Sequence, residues 1–197
     1  FERTQAFAIE ESAGGVTVST DKGRIKAAYA VIACDAYLGA LEPRIAPKIM
    51  PVANFLIATE PLSEAEASAL IPNDACVCDS RFVVNYFRLS GARRMIWGGG
   101  EKYTPTPPPS IPEFVRPHMV KVFPQLADKR IEYGWSGMVG ITMSRLPNLG
   151  RIGNIFYAQG YSGQGVAITG IAGKLIAEAL SGTAERFDVF GAGHLPP

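Results

Sequence analysis

The chain has 197 residues, 47% of them hydrophobic and 19% charged, which is enough to bury a core and excludes a disordered polymer. Lys and Arg number 19 against 18 Asp and Glu, so the net charge is +1 and no basic footprint for nucleic acid is expected. No apolar run approaches the roughly 18 residues of a membrane span.

The sequence begins at Phe1 without a leader pattern and reads as the middle of a longer protein. Residues 4–10 and 16–20 alternate as short strands, with turn clusters at Ser12-Ala13-Gly14-Gly15 and Asp21-Lys22-Gly23, and a third strand over 24–28. Residues 29–34 are continuously apolar, as expected of a strand covered on both faces in a parallel sheet. Asp35 follows at once and is placed to cap a helical turn over 36–41. Pro43, Pro47 and Pro51 then mark a boundary. Beyond them lie a strand over 52–59 and a capping box, Ser63 with Glu66, opening a helix to Ile71. Residues 81–89 and 94–98 read as antiparallel strands. Residues 104–112 read as an extended proline-rich loop, 111–126 as a helix interrupted or kinked at Pro117, and 131–141 as a strand. The stretch 44–130 is thus expected as an α+β lobe on an antiparallel sheet, bracketed by 1–43 and 131–197.

Three cysteines, Cys34, Cys76 and Cys78, are an odd count that argues against a disulfide framework and for a reducing, cytoplasmic location. Cys76-Val77-Cys78 is too tight for a zinc knuckle and the two histidines, His118 and His194, have no ligand-like spacing, so no metal is expected. His118 reads as a surface residue of the kinked helix and His194 as part of a mobile tail.

The stretch 154–182 carries the chemistry. A short buried strand over 155–158 leads into Gly160-Tyr161-Ser162-Gly163-Gln164-Gly165 and then a helix. Its apolar face is Ile168, Ile171, Ala172, Leu175, Ile176 and Ala179, with Gly182 where a C′ glycine belongs. Gly165, Thr169 and Gly173 form a stripe of small residues that admits a close neighbour. A strand, a glycine turn and a helix N-terminus present free N–H groups and the positive dipole end to an anion. The order G-x-x-G-x-G differs from the G-x-G-x-x-G phosphate fingerprint, and no acidic residue stands at the ribose-reading distance, so this is not a primary dinucleotide site.

Trp135-Ser136-Gly137, then Arg145-Leu146-Pro147-Asn148-Leu149-Gly150, then Tyr157 to Val166 resemble, in that order, the C-terminal part of the D-amino-acid-oxidase-like (DAO) family of FAD-dependent oxidoreductases, most closely its γ-glutamylputrescine oxidase branch. The likeness extends back to residues 29–35, Tyr86-Phe87-Arg88, Ile96-Trp97-Gly98-Gly99 and Phe123-Pro124-Gln125-Leu126, and so covers essentially the whole chain. It implies a mixed α+β and α/β fold: part of a Rossmann-like FAD lobe, an antiparallel-sheet substrate lobe over 44–130, and a return to the FAD lobe at 131–197. The family's N-terminal dinucleotide unit is missing.

The resemblance carries cofactor contact to Gly160, Tyr161, Ser162, Gly163, Gln164, Gly165 and Val166, with Asp35 on the strand toward the adenine side. Gln164 stands where relatives often have His and cannot carry charge. Arg88 and Arg145 are candidate readers of a substrate carboxylate; Tyr86, Trp97 and Trp135 are candidate pocket walls. Residues 141–144 hold no Cys, so the flavin is expected to be non-covalent. No catalytic acid or base is assigned. The implied reaction oxidises the carbon next to an amine, with imine hydrolysis and reoxidation by O2 to H2O2.

Two other readings remain open: a non-catalytic subunit or binding module, and an amino-acid dehydrogenase passing electrons to a quinone. The chain alone is expected to be inactive and to hold FAD weakly or not at all. It is also expected to self-associate through apolar surface around Val31, Ile32, Ile155 and Phe156.

Overall fold

A computed structural model describes residues 1–104 and 106–191; His194 lies outside the described residues. The chain divides into two compact units, residues 1–51 with those from 139 onward, and residues 52–138. In the first unit β1 (Ala6–Ser12), β2 (Gly15–Thr20) and β3 (Gly23–Ala27) form an antiparallel meander. Strand β4 (Ala30–Ile32) is only three residues long. Ile32 is buried but Val31 is 48% exposed, so the expectation of a strand covered on both faces is corrected. Val31 lines an open groove rather than a packed face. A single 3-10 turn follows at Asp35–Tyr37, with Cys34 at its N-cap and no side-chain cap. Asp35 therefore does not cap that turn; its carboxylate has other partners.

The second unit is built on a five-stranded sheet. Its elements are β5 (Met50–Thr59), α1 (Glu64–Leu70), β6 (Val77–Cys78), β7 (Tyr86–Leu89), β8 (Met95–Lys102), α2 (Ile111–Val122) and β9 (Ile131–Ile141), with strand order β6-β7-β8-β5-β9. Both unit boundaries fall inside strands, β5 and β9, eight residues beyond the 44–130 limits drawn from the prolines. Strand pairing outweighs the proline pattern because Met50 and Pro51 extend β5 rather than ending a loop. Residues 81–85 are a loop, not strand, because the Asp79 carboxylate accepts from the amides of Arg81 and Asn85 and from Asn85 Nδ2. Helix α2 starts after Ser110, whose hydroxyl accepts from Glu113 N, and Pro112 sits in its first turn. It runs on through Pro117 without a break, so the expected interruption does not occur. Val115 and Met119 of α2 seal a core with Phe55, Ile57, Met95 and Trp97.

In the first unit again, β10 (Asn148–Ile152), β11 (Ile155–Gln159) and β4 form a second sheet in the order β10-β11-β4. Strand β11 runs parallel to β4, pairing Ile155 with Ala30, Phe156 with Val31 and Tyr157 with Ile32. Every residue of β11 is buried. Ile155 and Tyr157 enter one cluster with Val16, Ile32 and Ile45; Phe156 and Ala158 enter another with Ala172, Leu175 and Ile176. Those three come from α3 (Gly165–Leu180), which α4 (Glu185–Gly191) follows. Gly150 makes this strand possible, since a Cβ there would overlap the Tyr157 ring. The apolar stripe of α3 is narrower than its sequence suggests, because Ile171 is 57% exposed. Gly182 at φ +96° closes α3 as expected: its N–H donates to Ala179 O, and Thr183 N donates to Glu178 O, the paired bonds of a Schellman motif. Of the four residues expected to expose apolar surface, Ile32, Ile155 and Phe156 are buried and only Val31 is open. Burial on both faces of β11 accounts for the difference.

The capping box of α1 forms in full: Glu66 N donates to Ser63 Oγ, and Ser63 N and Oγ donate to Glu66 Oε2. Ser63→Ala should cost about 1 kcal/mol in urea unfolding. Lys129, then the Ser63 amide and hydroxyl, hold the Glu66 carboxyl down at about 2. A folded pKa below the unfolded one means this contribution is complete above the ordinary glutamate range, about 4.3, and is lost as pH falls through the folded value. The unfolding midpoints of wild type and Glu66→Gln should therefore differ at neutral pH and converge toward about pH 2; a gap independent of pH would contradict the assignment.

Candidate functional site

The site begins where β11 ends. Gly160, Ser162 and Gly163 take left-handed backbone angles of +68°, +53° and +92°, folding the chain sharply before Gly165 opens α3. Two sets of bonds hold this turn. The Asp35 carboxylate accepts Gly160 N at 2.7 Å through Oδ1 and Gly140 N at 3.2 Å through Oδ2. On the other flank Ser162 N donates to Gly140 O at 2.9 Å, and Ser162 Oγ accepts Thr142 N at 3.2 Å. Thr142 Oγ1 in turn donates to Leu146 O, tying in the loop that carries Arg145. Two glycines are required for this fit. A Cβ on Gly140 would stand 2.7 Å from Asp35 Oδ1, and one on Gly160 would stand 2.5 Å from Thr142 Cγ2.

Beyond the clamp the turn is open. Among the described residues nothing lies within 4 Å of where a Gly163 Cβ would be. The first intrahelical bonds run from Ala167 and Ile168 to Gln164 O, so the amides of Gly165 and Val166 have no acceptor within the helix. Gln164 is the N-cap and its side chain makes no cap bond; no acidic residue stands in the first turn. The positive end of the α3 dipole is therefore presented uncovered. A groove of about 550 Å³ adjoins it, with Val31, Ala33 and Asp35 on one side and Gly165, Thr169 and Gly173 on the other. The small-residue stripe is thus a groove wall. Tyr161 also lines it, half-buried, and burial first and the Asp35 charge second raise its hydroxyl pKa. The eight cofactor candidates divide by position: Asp35, Gly160 and Ser162 anchor the turn, Tyr161 walls the groove, and Gly163, Gln164, Gly165 and Val166 project. A glycine with open space above it and unmatched amides fit the electron-rich end of a planar cofactor such as a flavin.

The substrate candidates separate as well. Tyr86 is half-buried in the second unit, and its hydroxyl donates to Asn54 Oδ1 at 2.6 Å while Asn54 Nδ2 donates to Gly100 O at 3.3 Å. The Tyr86 ring lies against Gly98, where a Cβ would overlap it, and burial pushes its hydroxyl pKa up. Arg88 follows two residues on in the same strand, exposed, with Nε donating to Leu89 O. Trp135 is 41% exposed on β9. Arg145 is exposed at φ +64° in the loop after β9. Trp97 is a correction: it is wholly buried and stacked on Phe87 with centroids 4.5 Å apart, so it builds the core and walls no pocket. Its alternation with Met95 puts it on the helix-covered side of β8. His118 sits half-buried beside Phe114 rather than at the surface. Among the described residues no cluster of metal-ligating side chains occurs, and no helix is long and apolar enough to cross a membrane.

Sequence reasoning missed Asn54, Gly98, Gly140 and Thr142. The signal for two of them was present, because glycine inside a strand marks a close backbone approach. Asn54 and Thr142 carry no local signal; their partners are 32 and 20 residues away.

Residues 1–179 match the family described as DAO, FAD dependent oxidoreductase. The gamma-glutamylputrescine oxidoreductase of Escherichia coli K12 is 46% identical over 175 residues, covering 88% of this chain and 41% of that protein. The probable oxidoreductase OrdL of Haemophilus influenzae is 38% identical over 195 residues, 96% of this chain and 44% of that protein. The chain thus spans less than half the length of these relatives. Among solved structures, glycine oxidase from Bacillus cereus superposes with a TM-score of 0.77 at 20% identity, over 94% of this chain and 52% of that one. L-proline dehydrogenase from P. horikoshii gives 0.75 at 23%, over 92% and 50%. At these identities the two structures speak for the fold.

Gly140→Ala should force the clamp apart and cost about 1–3 kcal/mol of stability, a penalty typical of overpacking. Thermal unfolding of the variant checks this. An unchanged midpoint would mean the Asp35 contact tolerates a methyl and the fit is looser than described.

Proposed function

We propose, on the premise that the chain belongs to the DAO family of FAD-dependent oxidoreductases, that it forms the flavin-facing turn and the substrate-facing sheet of an amine oxidase. The substrate would be a γ-glutamylputrescine-like amine or an amino acid. The observation that carries this reading is the clamped glycine turn with uncovered helix amides beside a groove, within a chain 46% identical to a gamma-glutamylputrescine oxidoreductase over most of its length.

FAD, when bound, supplies the two-electron acceptor for the carbon next to the amine and the reactivity toward O2 that yields H2O2. The chain's own groups do the rest. The amides of Gly163, Gly165 and Val166 would hold the electron-rich end of the cofactor by hydrogen bonds and the helix dipole. Asp35, Gly160 and Ser162 keep that turn in place. Tyr86, fixed by Asn54, offers a half-buried hydroxyl to orient substrate, and Arg88 and Arg145 offer planar forks for a carboxylate. Removal of a hydride equivalent from a neutral amine needs position and exclusion of water rather than a strong protein base. The 197 residues contain no G-x-G-x-x-G unit to grip a pyrophosphate, so the chain alone should bind FAD weakly and remain inactive.

Two outcomes test this reading in the full-length protein. The flavin absorbance should bleach under anaerobic conditions when γ-glutamylputrescine or an amino acid is added; a protein whose flavin no amine reduces would contradict it. Arg88→Ala or Arg145→Ala should raise KM for a carboxylate-bearing amine more than for an uncharged one, by about 1.5–3 kcal/mol in kcat/KM. Equal effects on both substrates would make these arginines structural.

A further inference from the structure

Asp35 departs from ordinary protein chemistry in two ways. It is a non-glycine residue at φ +43°, a conformation that L side chains adopt rarely and at some cost. Its carboxylate has no Lys or Arg partner among the described residues; it accepts from two backbone amides. Strain and an unpaired charge in one side chain persist only where the surroundings over-determine them. Here the two amides belong to segments 105 and 125 residues further along the chain, Gly140 near the end of β9 and Gly160 at the start of the glycine turn. The strand end that carries Asp35 is itself paired in parallel with the strand that delivers the turn. Asp35 therefore joins the ends of β4, β9 and β11 through one carboxylate.

Both donors are glycines. Gly140 leaves no room for a side chain against Asp35, and Gly160 takes a left-handed angle that brings its N–H onto Oδ1. Past Gly160 the backbone is free on its outer side, so the orientation of the next five residues is set from below. We propose that Asp35 is the positioning residue of this site. Its carboxylate fixes the height and tilt of the 160–166 segment so that the amides of Gly163, Gly165 and Val166 face the groove, and cofactor affinity depends on it although those amides, not Asp35, make the contact. The inference rests on reading the turn as flavin-facing.

Two substitutions separate this role from backbone strain. Asp35→Gly and Asp35→Asn both accept a positive φ, so neither is penalised by the local conformation. Asp35→Gly removes both acceptors; Asp35→Asn keeps one. Amide exchange of the 197-residue chain reads the clamp, and FAD titration of the full-length apoprotein reads its consequence. For Asp35→Gly, exchange at Gly140 and Gly160 should accelerate at least about tenfold, as expected when charge-assisted bonds are lost. The FAD dissociation constant should rise at least tenfold, measured at a temperature where the variant apoprotein is still folded. Asp35→Asn should fold as wild type and fall between the two in both readouts, a partial rescue that generic destabilisation would not give. Unchanged exchange at Gly160 in Asp35→Gly would overturn the clamp. Faster exchange with wild-type FAD affinity would overturn the positioning role alone. A wild-type apoprotein that takes up FAD with no change in the amide resonances of residues 163–166 would overturn the flavin-facing reading on which both rest.

Discussion

One carboxylate accepting two backbone amides governs the geometry of the first unit. It adds to the parallel pairing of β4 with β11 and to the Ser162 contacts that tie the turn to the end of β9. A charge-assisted bond to an amide is worth about 1.5–3 kcal/mol, roughly twice a neutral one, and here two share an acceptor group held by a strained backbone. Such an arrangement is stiff. Stiffness matters at this place because a helix N-terminus can stabilise developing charge only when its amides are already aligned, with no reorganisation left to perform.

The strand behind the turn supplies the other half of that stiffness. With all five of its residues buried, β11 is pinned between two apolar clusters. A slip by one residue would exchange the two sets of side chains and is disfavoured on both faces. The groove then follows from chain order: β4 lies at the sheet edge beside β11, and α3 leaves the turn with glycine and threonine on the side facing that edge. In the second unit the same economy recurs on a smaller scale. Gly98 makes room for the Tyr86 ring and Asn54 fixes its hydroxyl, so a polar group stands in a defined place in a sheet whose other face is a packed core.

Much of this was legible in the sequence, for reasons that differ between elements. The capping box at Ser63, the C′ glycine at 182, the meander turns and the buried run 155–158 are local patterns with local causes, and they appear where their residue types put them. The errors are places where a distant partner decided. Asp35 looked like a helix cap because it precedes a helical turn; its carboxylate turns instead toward amides that only the parallel pairing of β4 with β11 brings near. Trp97 looked like a pocket wall because it is aromatic in the right motif; alternation along β8 sends it into the core. Residues 29–34 looked doubly covered because all are apolar, but Val31 and Ala33 line the groove beside α3.

The most direct test of the account is a crystal structure of the full-length protein with FAD bound. The isoalloxazine ring should lie within hydrogen-bond distance, about 2.7–3.2 Å, of at least one amide N–H among residues 163–166, with Asp35 still on Gly140 and Gly160. A flavin seated elsewhere, with the turn facing solvent or protein, would contradict it.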